Sequence, residues 1–232
     1  MIKKIFFLAI ILGMNATAQS IDHNKWASLL KEFVNSNGDV NYKEFAKNVS
    51  SLDEYLNILS NNKPSKISTR KETLSYWINA YNAFTVKLII DNYPVKSIKD
   101  IKQPWDKKFF KIGGEAMSLN QIEHEILRKM DEPRIHFAIV CASYSCPKLQ
   151  NEAFTANNLE IQLTNATKEF LADKNRNEIS EKSIKISKIF DWFAKDFTQD
   201  GSLIDFLNTY TDVTISPKAK KRYLEYNWAL NE

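Results

Sequence analysis

The sequence predicts an α+β fold, a mostly helical single domain packed around a small β-sheet with hairpins. Three observations predict it. Apolar residues recur at helical spacing in several separate stretches. Two short segments with turn signals between apolar runs read as hairpins. No stretch rich in Pro, Gly or Ser divides residues 19–232, so these residues read as one domain with one sizeable core.

The elements follow in order along the 232 residues. Lys3 and Lys4 precede an apolar run from Ile5 to Leu12, and Ala16-Thr17-Ala18 fits a small-x-small cleavage pattern. Residues 1–18 therefore read as a signal peptide cut after Ala18, with export to the periplasm or the extracellular space. The run is too short to stay in a bilayer, and no later run is long and apolar enough to span one. Trp26, Leu29, Leu30, Phe33 and Val34 share a helix face, and Asn37-Gly38 ends that helix. "DVNYKEFAKN" reads as an extended piece entering a second helix. Leu52, Tyr55, Leu56 and Leu59 mark another amphipathic helix. The strongest helix is "KETLSYWINAYNAFTVKLIIDNYP", stopped at Pro94. "WDKKFFKIGGEAMSL" predicts a hairpin turning at Gly113-Gly114. Ser118 caps the next helix, to Met130, and Gln121 completes a capping box. "IHFAIVC" is a nearly continuous apolar run and predicts a buried strand. Thr155 to Leu171 is a helix, "NEISEKSIKISKIF" a second hairpin, and Ser202–Tyr210 a last helix.

Charge and composition exclude several functions. Lys and Arg number 32 against 28 Asp and Glu, a net charge of +4 that loses two with the leader. The charges are scattered, so nucleic acid is not an expected partner. Gly38, Gly113, Gly114 and Gly201 build no phosphate-binding loop, and no cofactor is expected. The expected partner is a small molecule or peptide substrate. Two cysteines are too few for a disulfide scaffold, although an exported protein can carry one bridge.

Five segments together carry a resemblance: "YWINAYNAFTV", "SLNQIEHEILR", "PRIHFAIVCASYSCPKL", "IFDWFAKDF" and "YNWALN". In this order they resemble the DUF547 family, over roughly Trp26 to the C-terminus. The resemblance implies an architecture and a set of marked residues. It brings no established activity, so the chemistry must come from the residues themselves.

The stretch "RIHFAIVCASYSCPK" at 134–148 holds both cysteines and His136. On the preceding helix, Glu123 lies about 40° from the centre of the apolar side and His124 about 140° from it. Glu123 is therefore expected to face the core, with Arg134 or His136 as its partner. On a strand, His136 and Cys141 would point to opposite faces, which argues against a direct pair. Three readings of the loop compete. In the first, Cys146 or Cys141 is a nucleophile, His124 its base, and Glu123 and Asn79 are supporting groups, which suits acyl transfer. In the second, the cysteines form a disulfide or a packed thiol pair. In the third, His124, His136, Cys141 and Cys146 bind zinc. A rival class is a non-catalytic envelope binding or scaffold domain with a buried polar network. Asn79 and Asn82 are neighbours on one helix, where buried Asn commonly bridges backbone groups; the alternative is that one orients a histidine. Trp192, Phe193 and Trp228 read as core aromatics.

Overall fold

The computed structural model describes residues 21–232, so the signal-peptide reading of residues 1–18 lies outside them. Among the described residues the fold is α+β and mostly helical, with two small sheets instead of one. Three helices open the described residues: α1 (Asn24–Phe33), α2 (Tyr42–Lys47) and α3 (Val49–Asn61). They surround α4 (Arg70–Asn92), which the Thr69 and Glu72 side chains cap reciprocally. Most of the 23 residues of α4 are buried, on every side. A helix buried all round shows no polar stripe, and polar side chains within it need internal partners.

Strands β1 (Phe110–Ile112) and β2 (Glu115–Met117) form the first predicted hairpin. Gly113 and Gly114 take φ of +60° and +83°, the pair of positive values that a tight two-residue hairpin turn requires. After the Ser118–Gln121 capping pair, the expected single α-helix is instead a π-helical turn at Gln121–Ile126 and a 3-10 segment at Leu127–Met130. The wider turn rotates the side chains after Gln121 relative to an ideal helix.

The largest departure follows. "IHFAIVC" forms no strand. Pro133–Phe137 is a short 3-10 helix, with Pro133 in its first turn and the Glu132 side chain accepting from the Arg134 N–H. Proline fixes φ there and favours a helix start. Beyond it, the backbone is held by side chains and not by a sheet. Asn82 Nδ2 donates to Ala138 O at 2.9 Å, and Val140 N–H donates to Asn82 Oδ1 at 2.9 Å. The run is buried because α4 receives it. Two faces of a strand therefore do not exist here, and the alternation argument that separated His136 from Cys141 falls with them.

Helix α5 (Leu159–Ala172) joins two apolar clusters. Leu159 and Leu163 pack with α1–α4, while Ala166, Phe170 and Leu171 pack with the C-terminal elements. Those elements are β3 (Glu178–Ile179), β4 (Ser183–Ile186), α6 (Ile189–Trp192), α7 (Leu203–Tyr210) and β5 (Lys220–Tyr223). β3 and β4 are the second predicted hairpin; β5 adds to β4 in parallel, which local pattern did not foretell.

Replacing Asn82 with alanine should leave a buried donor and a buried acceptor unpaired. The expected loss is about 2–4 kcal/mol of stability by urea denaturation. A loss well below about 1 kcal/mol would show that the 138–140 segment holds itself without the amide.

Candidate functional site

The cysteine loop is braced from two sides. Arg176 Nε donates to Cys146 O at 2.7 Å, and its Nη2 donates to Tyr144 O at 2.5 Å, while Asp173 pairs with the same guanidinium. On the other side the C-terminal segment pairs with the loop. Tyr144 N–H donates to Ala229 O at 2.7 Å, and Ser145 N–H donates to Asn227 O at 3.2 Å. Cys141 and Cys146 form a disulfide, with their Cα atoms 6.3 Å apart, inside the range a bridge allows. Cys141 is half-buried and Cys146 buried. The Cys141 N–H points at Cys146 Sγ, 2.9 Å away. Cys141 Sγ lies 3.1 Å from Ser143 Oγ and 3.3 Å from the Tyr226 hydroxyl. Burial pushes that hydroxyl up to about 12, against the pull of the Ser143 hydrogen bond, so it stays a donor at neutral pH.

This loop forms one wall of a cavity of about 240 Å³. The same cavity is lined by Glu123, His124 and His136. Four of the five residues singled out from sequence therefore meet there. Asn79 does not: Nδ2 donates to Phe154 O at 2.7 Å and Oδ1 accepts from Phe154 N–H at 3.0 Å. Both ends of its amide are spent on backbone, which leaves none to orient a histidine. A larger groove of about 780 Å³, beside Asp22, Asn61 and Glu152, contains neither cysteine and neither His124 nor His136.

Glu123 faces inward, as its helical position predicts. Its partner is neither Arg134 nor His136 but Tyr81 of α4, whose hydroxyl donates to Oε2 at 3.0 Å. Burial and the Glu123 charge push the Tyr81 hydroxyl well up, so it remains a donor. Arg134 is taken by Glu132 and Glu160. Among the described residues Glu123 Oε1 carries no hydrogen bond.

The two histidines are tied through one ion pair. Arg128 grips Asp196 with Nε to Oδ2 at 2.6 Å and Nη2 to Oδ1 at 2.8 Å. Its Nη1 lies 2.9 Å from His124 Nδ1. Guanidinium only donates, so His124 Nδ1 accepts and the neutral ring carries its proton on Nε2. His136 has the opposite arrangement. Its Nε2 lies 2.8 Å from Asp196 Oδ2. Burial would raise the Asp196 carboxyl, but hydrogen bonds from Arg128 and His136 outweigh it and hold the group well below the usual carboxylate range. An ionised carboxylate only accepts, so His136 Nε2 donates and the neutral ring leaves Nδ1 as its acceptor. Phe193 stacks on His136 with centroids 4.0 Å apart and fixes the ring plane.

Sequence position points to His124 as the base and carries no local signal for Asp196, Arg128 or Tyr226. Asp196 sits within "IFDWFAKDF", a quoted motif, but 60 residues from His136. Among the described residues no sulfur–imidazole hydrogen bond is formed, and no three His, Cys, Asp or Glu side chains are grouped to hold a metal ion. The zinc grouping of His124, His136, Cys141 and Cys146 is therefore not assembled.

Asp196 titrates lower folded than unfolded. Its stabilising contribution is complete above the unfolded value of about 3.9 and is lost as pH falls through the folded value. Asp196→Asn should therefore be less stable than the parent at neutral pH, and the gap should close on acidification. Urea midpoints measured from neutral pH down to about pH 2 read this directly. A gap that stays constant with pH would show that the carboxylate charge does not hold Arg128 and His136.

The comparisons with known proteins add one finding. A family model described as "Protein of unknown function, DUF547" matches residues 64–171. No curated protein and no solved structure matches the chain. The matched span includes α4, the Glu123–His124 turn and the cysteine loop. "IFDWFAKDF" and "YNWALN", which supply Asp196 and Trp228, lie beyond it. Residues 64–171, just under half of the chain, therefore carry the DUF547 family pattern.

Proposed function

We propose that this is an exported, thiol-dependent acyl-transfer enzyme, a hydrolase or transamidase whose thiol is released by reduction of the Cys141–Cys146 bridge. One observation carries the reading: Cys141 and the Asp196-bound His136 line the same small cavity. A thiol, an imidazole and a carboxylate that orients the imidazole form the usual parts of an activated nucleophile. The export component rests on Lys3, Lys4 and the apolar run before Ala16-Thr17-Ala18.

The chemistry begins with an external dithiol. It takes up the bridge by exchange, becomes a disulfide, and leaves Cys141 and Cys146 as thiols. His136 Nδ1 then accepts the Cys141 proton. The thiolate attacks the acyl carbon, forming a C–S bond, and the bond to the leaving alcohol or amine breaks. The imidazolium returns its proton to that leaving group. Water or an amine next attacks the thioester, the C–S bond breaks, and the proton passes through His136 back to sulfur. His124 takes a different part from the one its sequence position suggested. Its Nε2–H is a donor suited to the acyl oxygen as charge develops there. The Tyr226 hydroxyl, already close to Cys141 Sγ, stabilises the thiolate.

The bridge itself favours a second reading. A closed disulfide offers no nucleophile, and the amide and guanidinium bonds to the loop serve a binding or scaffold domain equally well.

Incubating the full chain with p-nitrophenyl acetate separates the two readings. After reduction by dithiothreitol, peptide mass spectrometry should find an acetyl group on Cys141. The oxidised protein and Cys141→Ser should carry none there. His136→Asn should slow acetylation about 10²–10⁴-fold. Fully reduced protein that gains no acetyl group on Cys141 would overturn the enzyme reading and leave the binding domain.

A further inference from the structure

We infer that the substrate of this cavity carries an alkylammonium group, primary or methylated, on a small apolar body. The inference rests on the acyl-transfer reading for calling the ligand a substrate; its binding stands on separate observations.

The first is the aromatic lining. Trp192 and Trp228 stack with centroids 5.7 Å apart, and Tyr226 lies 4.8 Å from one and 4.6 Å from the other. Trp105 meets Trp228 edge-on at 5.9 Å. All four line the cavity beside the cysteine loop. Aromatic faces attract cations through the ring quadrupole, and several faces around one space form a cage for an ammonium. Lys99 Nζ sits 3.8 Å from the Trp228 centroid, but Lys99 is not part of the cavity lining.

The second observation is charge. Among the described residues, Glu123 is the one carboxylate lining the cavity, and the lining contains no Lys or Arg. The nearby Arg128 is gripped by Asp196 through two hydrogen bonds, which compensates its charge. Glu123 is buried, its Oε2 is fixed by Tyr81, and its Oε1 carries no hydrogen bond among the described residues. A carboxylate in an aromatic, largely apolar space is poorly solvated, and a bound cation restores what water would supply.

The third is size. About 240 Å³ is below the usual range for whole drug-sized ligands. It fits a substituent of a few heavy atoms. A sugar ring would stack on the same aromatics, but it would need several free hydrogen-bonding groups for its hydroxyls, and most of the polar side chains present are engaged already: Tyr81 with Glu123, Asn120 with Asp106, His136 with Asp196 and Tyr226 with Ser143.

The probe is choline, set against its neutral isostere 3,3-dimethylbutan-1-ol. The two differ in charge and hardly in shape. Titration calorimetry on the oxidised full chain reads binding while no thiol is available. Choline should bind at least about tenfold tighter than the alcohol. Glu123→Gln, with its folding checked by circular dichroism, should remove most of that preference. Trp192→Leu changes a ring that is 45% exposed, so the fold tolerates it; choline binding should weaken about three- to tenfold. Equal binding of choline and the alcohol, or a preference unchanged in both variants, would overturn the inference. Tighter binding of methyl β-glucoside than of choline would overturn it in favour of a sugar. The two proposals fail separately. A reduced protein that is acetylated on Cys141 yet does not bind choline keeps the acyl-transfer reading and loses this one. Choline binding without acetylation keeps the ammonium site and loses the chemistry.

Discussion

The burial of α4 on every side is the constraint on which the rest depends. A helix so placed cannot leave polar side chains to water. Its Asn79, Tyr81 and Asn82 must find partners inside, and each holds a different segment. Asn79 holds the backbone at Phe154, Tyr81 holds the Glu123 carboxylate, and Asn82 holds the backbone from Ala138 to Val140. The backbone at Phe154 and from Ala138 to Val140 lies outside every helix and strand. One rigid helix therefore sets the distance between the Glu123 turn and the cysteine loop, and the cavity between them is a consequence of where α4 places its polar groups.

A second link closes the cavity from the C-terminal side. Asp196 receives Arg128 and His136 together, and Arg128 reaches on to His124. This gives two histidines opposite roles from one ion pair. His124 presents an N–H, because a guanidinium occupies its acceptor nitrogen. His136 presents a lone pair, because a carboxylate occupies its donor nitrogen. A general base and a hydrogen-bond donor on one cavity wall are what acyl transfer requires. The division of labour comes from the partners of the rings, and not from the rings.

Much of this was legible in the sequence. The helices at α1, α3 and α4, both hairpins, the Ser118–Gln121 capping pair and the inward turn of Glu123 all follow from periodicity and turn chemistry. The misreadings share a cause. "IHFAIVC" is apolar because it is buried, and burial alone does not distinguish a strand from an irregular segment pinned by side chains. The partner that decides the matter, Asn82, is more than 50 residues away. The parallel pairing of β5 with β4 and the Asp196–His136 contact are likewise long-range, and no local pattern encodes them. A strand would turn His136 away from Cys141 and leave His124 as the base. Once the strand is gone, His136 is the histidine whose surroundings suit a base.

The central claim is that His136, set by Asp196, activates Cys141 once the bridge is opened. The rate of iodoacetamide alkylation of Cys141 in the reduced protein, followed against pH, tests it most directly. The account predicts a thiolate that titrates below the free-cysteine value of about 8.5, and a shift back toward that value in Asp196→Asn. A parent protein in which Cys141 titrates at or above about 8.5 would contradict it.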